Sequence, residues 1–206
     1  MLGMDTELMY RIPALLIAIT VHEYAHAVVA DSLGDPTPKA SGRLTLNPLA
    51  HLDPIGALML AIVGFGWAKP VSINPTYFRN FKDGMKKVAF AGPGANFFLA
   101  FLAALGIAIM KKLGILTEGV YTFLFWTQLY NVWFAFFNLL PLPPLDGSKI
   151  LMAFLTPKQT YEYLKIEPYS LYIMIGLLLT GIIGVVLTPL SAGFMGLISG
   201  ILSIFF

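Results

Sequence analysis

His22-Glu23-Tyr24-Ala25-His26 lies between Ile12-Pro13-Ala14-Leu15-Leu16-Ile17-Ala18-Ile19-Thr20-Val21 and Ala27-Val28-Val29-Ala30. The flanks predict one helix over residues 8–30, long and apolar enough to lie in a membrane. Side chains four apart on a helix share a face, so both imidazoles can reach a single Zn²⁺. Glu23, one position along, is close enough to hold and deprotonate a water at that ion. This is the HExxH spacing of zinc hydrolytic sites. Ionisable side chains within an apolar span are expensive and mark functional sites. Helix packing alone gives two histidines and a glutamate no ready reason to stand there.

Composition agrees with a membrane setting. Of 206 residues, 57% are hydrophobic and 12% are charged, against roughly 25% charged in soluble domains. There is no cysteine, which excludes disulfides, thiolate catalysis and Cys-ligated zinc. A net charge of +2 is too small to attract nucleic acid. Met1–Glu7 has no basic n-region, so the first helix is read as retained and not as a signal peptide.

Working outward, further apolar spans are expected at about 88–110, 119–140, 169–188 and 191–206, the last two separated by Pro189. The run 55–67 is too short to span and holds Gly56, Gly64 and Gly66, so it reads as re-entrant. Residues 68–75 have the period-2, proline-bounded look of short strand material. The expected fold is an all-α polytopic membrane protein with about five transmembrane helices, plus a re-entrant, partly β element around residues 43–75. A single integral-membrane domain is expected over 1–206, with a core of about 8–156 and additional C-terminal helices over 169–206.

Basic residues set the expected orientation. With the N-terminus outside and 55–67 re-entrant, the inner segments carry Lys39, Arg43, Lys69, Arg79, Lys82, Lys86, Lys87, Lys149, Lys158 and Lys165. The outer segments carry only Arg11, Lys111 and Lys112. That is the positive-inside bias.

Two histidines do not complete a catalytic zinc site, which takes three protein ligands and an open position. Asp146 is the leading third ligand. It follows Asn138-Leu139-Leu140-Pro141 and Pro143-Pro144, where proline interrupts the helix, and precedes Gly147. Asp146 also suits a helix N-cap, and His51 is a rival ligand. Asn96 and Asn138 are side-chain donors inside apolar spans, suited to substrate or oxyanion binding or to bonding helices together. Gly92 and Gly94 suit close helix contact.

Taken together, the chain resembles the site-2 protease family of intramembrane metalloproteases. The resemblance rests on His22-Glu23-Tyr24-Ala25-His26, Gly92-Pro93-Gly94-Ala95-Asn96, Asn138-Leu139-Leu140-Pro141 and Leu145-Asp146-Gly147, in this order and in separate apolar spans. The stretch Asn47-Pro48-Leu49-Ala50-His51-Leu52-Asp53-Pro54 is similar to the compact subgroup without accessory domains. The resemblance covers about residues 10–155. It implies one Zn²⁺ per chain held by His22, His26 and Asp146, with Glu23 as general base. It implies a transmembrane protein substrate, cut near the cytoplasmic face of a prokaryotic cell membrane. It also implies a sheet-like element over 55–75 whose edge receives the substrate as a strand. Asn96, Asn138 and His51 are the expected substrate-side residues. Rival readings are a zinc carrier and an inactive scaffold that binds transmembrane helices.

Overall fold

The computed structural model describes residues 2–56 and 68–206, with side chains from residue 7 onward. The expected re-entrant run 55–67 therefore lies almost wholly outside the described residues. Four long helices dominate: α1 (Leu2–Ser32), α3 (Phe81–Lys112), α4 (Glu118–Asn138) and α8 (Ile182–Leu202). The shorter ones are α2 (Thr37–Ala40), α5 (Asp146–Phe154), α6 (Pro157–Leu164) and α7 (Ser170–Leu179).

The centre is a three-helix packing of α1, α3 and α4, with α5 against α3, and α8 against α4 and α3. Alanine makes this close approach possible. Ala14, Ala18, Ala27 and Ala30 of α1, Ala100 of α3 and Ala135 of α4 are all fully buried. Small side chains let backbones approach where no hydrophobic force pulls membrane helices together. Large apolar side chains such as Phe98, Tyr172, Leu179, Val185 and Leu197 point outward instead, as expected of a lipid-facing surface.

Among the described residues, three helical segments are long and apolar enough to cross a membrane: Glu7–Ser32, Phe81–Lys112 and Ile182–Leu202. The span expected at 119–140 is a helix of 21 residues, long enough but less apolar. Its buried face carries Thr127, Gln128, Asn131 and Asn138. The expected division at Pro189 is corrected. The break falls at Gly181, which adopts φ 74°, the left-handed conformation that glycine enters without strain. Gly181 N–H donates to the Leu178 carbonyl at 3.1 Å, which closes α7 after 10 residues, about 15 Å of helix. Pro189 sits inside α8.

The expected β character of residues 43–75 is also reduced. Among the described residues there is one antiparallel bridge, Leu52 to Ala68, beside Lys69 N–H donating to the His51 carbonyl at 2.9 Å. Single-turn 3₁₀ helices cover Pro48–Ala50 and Pro75–Tyr77, each capped by an asparagine side chain, Asn47 and Asn74. The buried Arg43 guanidinium bonds the Ala50 carbonyl and reaches the Lys69 carbonyl at 3.5 Å. Prolines at 48, 54, 70 and 75 remove the amides that a regular strand ladder needs.

Candidate metal centre

His22 and His26 lie one turn apart on α1, and Asp146 is the first residue of α5. Their ligand atoms converge. His22 Nε2 and His26 Nε2 are 3.0 Å apart, and Asp146 Oδ2 stands 3.1 and 3.0 Å from them. All three residues are buried.

The hydrogen bonds behind the rings fix which nitrogens face inward. His22 Nδ1 lies 2.7 Å from Asn96 Oδ1, and His26 Nδ1 lies 2.7 Å from the Val88 carbonyl. Both partners only accept, so both Nδ1 atoms donate, and a neutral imidazole then presents a lone pair at Nε2. Asn96 is held in this orientation. Its amide donates to the Ala18 carbonyl at 2.9 Å and to Asn131 Oδ1 at 2.7 Å. Asn131 in turn donates to the Thr127 carbonyl at 2.8 Å. Phe134 packs edge-on against the His22 ring, with centroids 4.8 Å apart.

The centre therefore gathers two nitrogen lone pairs and a carboxylate oxygen. Asp146 Oδ2 is buried and accepts no hydrogen bond. Three acceptors without a donor among them repel unless a cation joins them. A tetrahedral ion about 2.0–2.1 Å from each ligand spaces its ligands roughly 3.3–3.4 Å apart. The observed triangle is a few tenths of an ångström tighter. Two imidazoles and one carboxylate are a donor set suited to zinc, with a fourth position left open.

Glycine makes the space. A Cβ on Gly92 would stand 2.5 Å from His26 Nε2 and 2.7 Å from His22 Nε2, whereas one on Gly94 would meet nothing within 4 Å. Gly147 serves the other side. A Cβ there would run into the backbone carbonyls of Leu139 and Leu140, so glycine lets α5 start directly against that turn and delivers Asp146.

The N-cap role considered for Asp146 is not the one it takes. Leu145 occupies the cap position without a side-chain bond. Asp146 Oδ1 instead accepts from Lys149 Nζ at 3.1 Å, which leaves Oδ2 for the histidines. Glu23 is buried beside the centre, and its Oε2 accepts the Val71 N–H at 3.0 Å. Asp35 pins the same segment further on, accepting the Asn74 N–H at 2.7 Å.

The remaining candidates separate. Asn96 supports His22, and both of its amide hydrogens bond within the protein, which leaves no donor for substrate. Asn138 donates to the Phe134 carbonyl at 2.9 Å, within its own helix. His51 is fully buried and stands outside the three-residue group; its Nε2 meets the Thr45 carbonyl at 2.8 Å and its Nδ1 has no partner. Sequence reasoning missed three participants: Lys149, Asn131 and Gly92 as the roof of the ion's space. The one available signal was the spacing of Lys149 three residues after Asp146, which places both on one helix face.

Known proteins give this geometry a family. The family model described as "Peptidase family M50" matches residues 106–181, a stretch that includes Asp146 and Lys149. The Bacillus subtilis (strain 168) protein named "Putative zinc metalloprotease YwhC" is 38% identical over 191 residues, 89% of this chain and 87% of that one. The Mycolicibacterium smegmatis protein named "Putative zinc metalloprotease Rip2" is 30% identical over 175 residues, 80% of this chain and 64% of its own. "Zinc metalloprotease MJ0392" of Methanocaldococcus jannaschii is 26% identical over 151 residues, 73% of this chain and 35% of its own. No solved structure matches the chain. With nearly the full length of both chains aligned to the Bacillus relative, and with two histidines and an aspartate converging between apolar helices, this chain belongs to peptidase family M50, the site-2 proteases.

Proposed function

We propose that the protein is a zinc-dependent intramembrane endopeptidase that cuts a transmembrane protein substrate. The observation that carries this reading is the buried convergence of His22 Nε2, His26 Nε2 and Asp146 Oδ2 within about 3 Å of one another. One Zn²⁺ per chain held by these atoms would polarise a scissile carbonyl and acidify a water.

The chain's own residues supply the rest. Glu23 is the general base: it takes the proton of the attacking water as the C–O bond forms. It then gives that proton to the amide nitrogen as the C–N bond breaks, so that an acid and an amine leave. The Val71 N–H holds one Glu23 oxygen at 3.0 Å, which leaves the second for the water. Asn96 and the Val88 carbonyl keep both imidazoles in the ligating tautomer.

The substrate class follows from location. The centre lies between helices that are long and apolar enough to span, and a substrate that reaches it there is itself membrane-embedded. A helix hides its peptide bonds, so the substrate unwinds locally to be cut. Residues 70–74, tied to Glu23 through the Val71 N–H, would be the edge on which it lies as a strand. The antiparallel bridge of Leu52 to Ala68 anchors the start of this edge. Crossings by α1, α3, α4 and α8, with the basic segments and the active site at the cytoplasmic face, complete the proposal; α7, at 10 residues about 15 Å long, is too short to make the fifth that the sequence suggested.

The test is bound metal together with proteolysis, using detergent-purified wild type, Glu23→Gln, His26→Ala and Asp146→Ala, and a panel of single-span peptides in micelles. Wild type and Glu23→Gln should carry near-stoichiometric zinc, and the other two should lose it. Only wild type should cut. Cleavage by Glu23→Gln would refute the assigned base, and zinc retained by Asp146→Ala would refute the third ligand.

A further inference from the structure

The far end of the bundle holds a second built space. A cavity of about 590 Å³ opens between α3, α4 and α8, within the roughly 300–1,000 Å³ range of ligand sites. Ala104, Ala108, Phe125 and Leu202 line its apolar length, and Lys111 and Lys112 stand at its rim. Gly92, at the metal, and Ala104, at the start of this groove, are twelve residues apart on one helix, about 18 Å. The two sites are separate.

Charge distribution singles out the rim. The connections at the metal end carry ten of the thirteen Lys and Arg residues. The groove end carries Arg11, Lys111 and Lys112. Arg11 is engaged: its Nε donates to Tyr130 Oη at 2.8 Å, and its guanidinium lies 4.5 Å from the Trp126 ring centre. Among the described residues neither lysine pairs with a carboxylate. Lys112 Nζ donates to the Phe205 carbonyl at 3.0 Å and lies over the Phe206 ring. This holds its charge at the mouth of the groove. Lysines in a last turn suit the helix dipole; that accounts for the charge and not for the cavity beside it. A mostly apolar slot that also holds Gln128, Ser199 and Ser203, with paired cations at the end of α3, is complementary to an amphiphile: an acyl chain carrying an anionic headgroup with polar linkages between.

We propose that this groove binds an anionic phospholipid of the bilayer, with an acyl chain along Ala104 and Ala108 and its phosphate at Lys111 and Lys112. The test uses the full chain purified in detergent, with phosphatidylglycerol or phosphatidylcholine of the same acyl chains added. Retained lipid is read by native mass spectrometry, thermal stability by melting temperature, and integrity of the bundle by metal content. Wild type should retain phosphatidylglycerol preferentially, by about fivefold per lysine, and melt higher with it. K111Q/K112Q should lose that preference, and K111R/K112R should keep it. Ala108→Phe, which fills the groove, should lose both lipids at unchanged metal content. Equal retention of the two lipids by wild type would overturn the proposal, as would a preference that survives in K111Q/K112Q. A dimer in detergent that dissociates on Ala108→Phe would also overturn it, by assigning the groove to a second copy of the chain.

Discussion

The two ends of α3 follow opposite plans. From Val88 to Asn96 the helix meets α1 and α4 through a glycine, a proline and a chain of buried hydrogen bonds, and the polar groups named there have assigned partners. From Ala104 to Lys112 it meets α4 and α8 through an open apolar slot with cations at the rim. A metal centre needs lone pairs held to within tenths of an ångström, and a dry low-dielectric surround strengthens every bond that holds them. A lipid-facing slot needs only shape and one charged end. One helix of 32 residues supplies both because the residues that impose rigidity are confined to its first half.

Substitutions along that helix and its partners test the contrast, in decreasing order of effect. Gly92→Ala should be the most severe. Its methyl would fall on the imidazole nitrogens, lowering zinc affinity by about a hundredfold or more and abolishing cleavage. Gly94→Ala, two residues on and facing open space, should leave both unchanged. A zinc titration of the pair decides the matter. Asn96→Ala should come next. It removes the acceptor that fixes the His22 tautomer, and zinc affinity should fall by about 10–100-fold, measured by competition with a chelator. Lys149→Met should be mildest. It frees Asp146 Oδ1 from its partner at 3.1 Å, so zinc should bind within about tenfold of wild type while turnover falls. Lys149→Arg should restore the turnover. If all three variants bound zinc equally well, the rigid half would not be organised around a metal.

The metal centre was legible to the extent that its residues follow spacing rules. His22, Glu23 and His26 declare themselves by helical periodicity in an apolar context, and Asp146 by the prolines that break the chain before it. Lys149 and Asn131 did not, because their importance comes from what they face across α5, α3 and α4, a tertiary matter. Asn96 was noticed and left between two roles, because a side-chain amide in a span reads equally well as a donor to substrate or as a bond between helices; its bonds run to α1 and α4, and its support of His22 is a tertiary matter. Helix α4 was placed to within two residues, although its buried polar face makes it the least obvious span by hydropathy. The division between the last two helices was misread because Pro189 is the louder breaker in sequence. A membrane helix tolerates proline, and Gly181 makes the turn through a backbone conformation that composition does not announce. Residues 43–56 and 68–75 were read as more sheet-like than they are, because alternation was visible and the missing proline amides were underweighted.

The convergence of His22, His26 and Asp146 has a mechanical meaning apart from chemistry. The two elements it joins, α1 and α5, lie about 120 positions apart in sequence in a chain without cysteine. An ion shared between them acts as a cross-link that closes a very long loop, the role a disulfide takes elsewhere. Removing it leaves three mutually repelling acceptors in a dry interior, and folding is linked to the ion by mass action. A chelator should therefore loosen α5 from α1 as well as stop turnover, and the melting temperature of the Glu23→Gln protein, which has no catalysis to lose, should rise with free zinc.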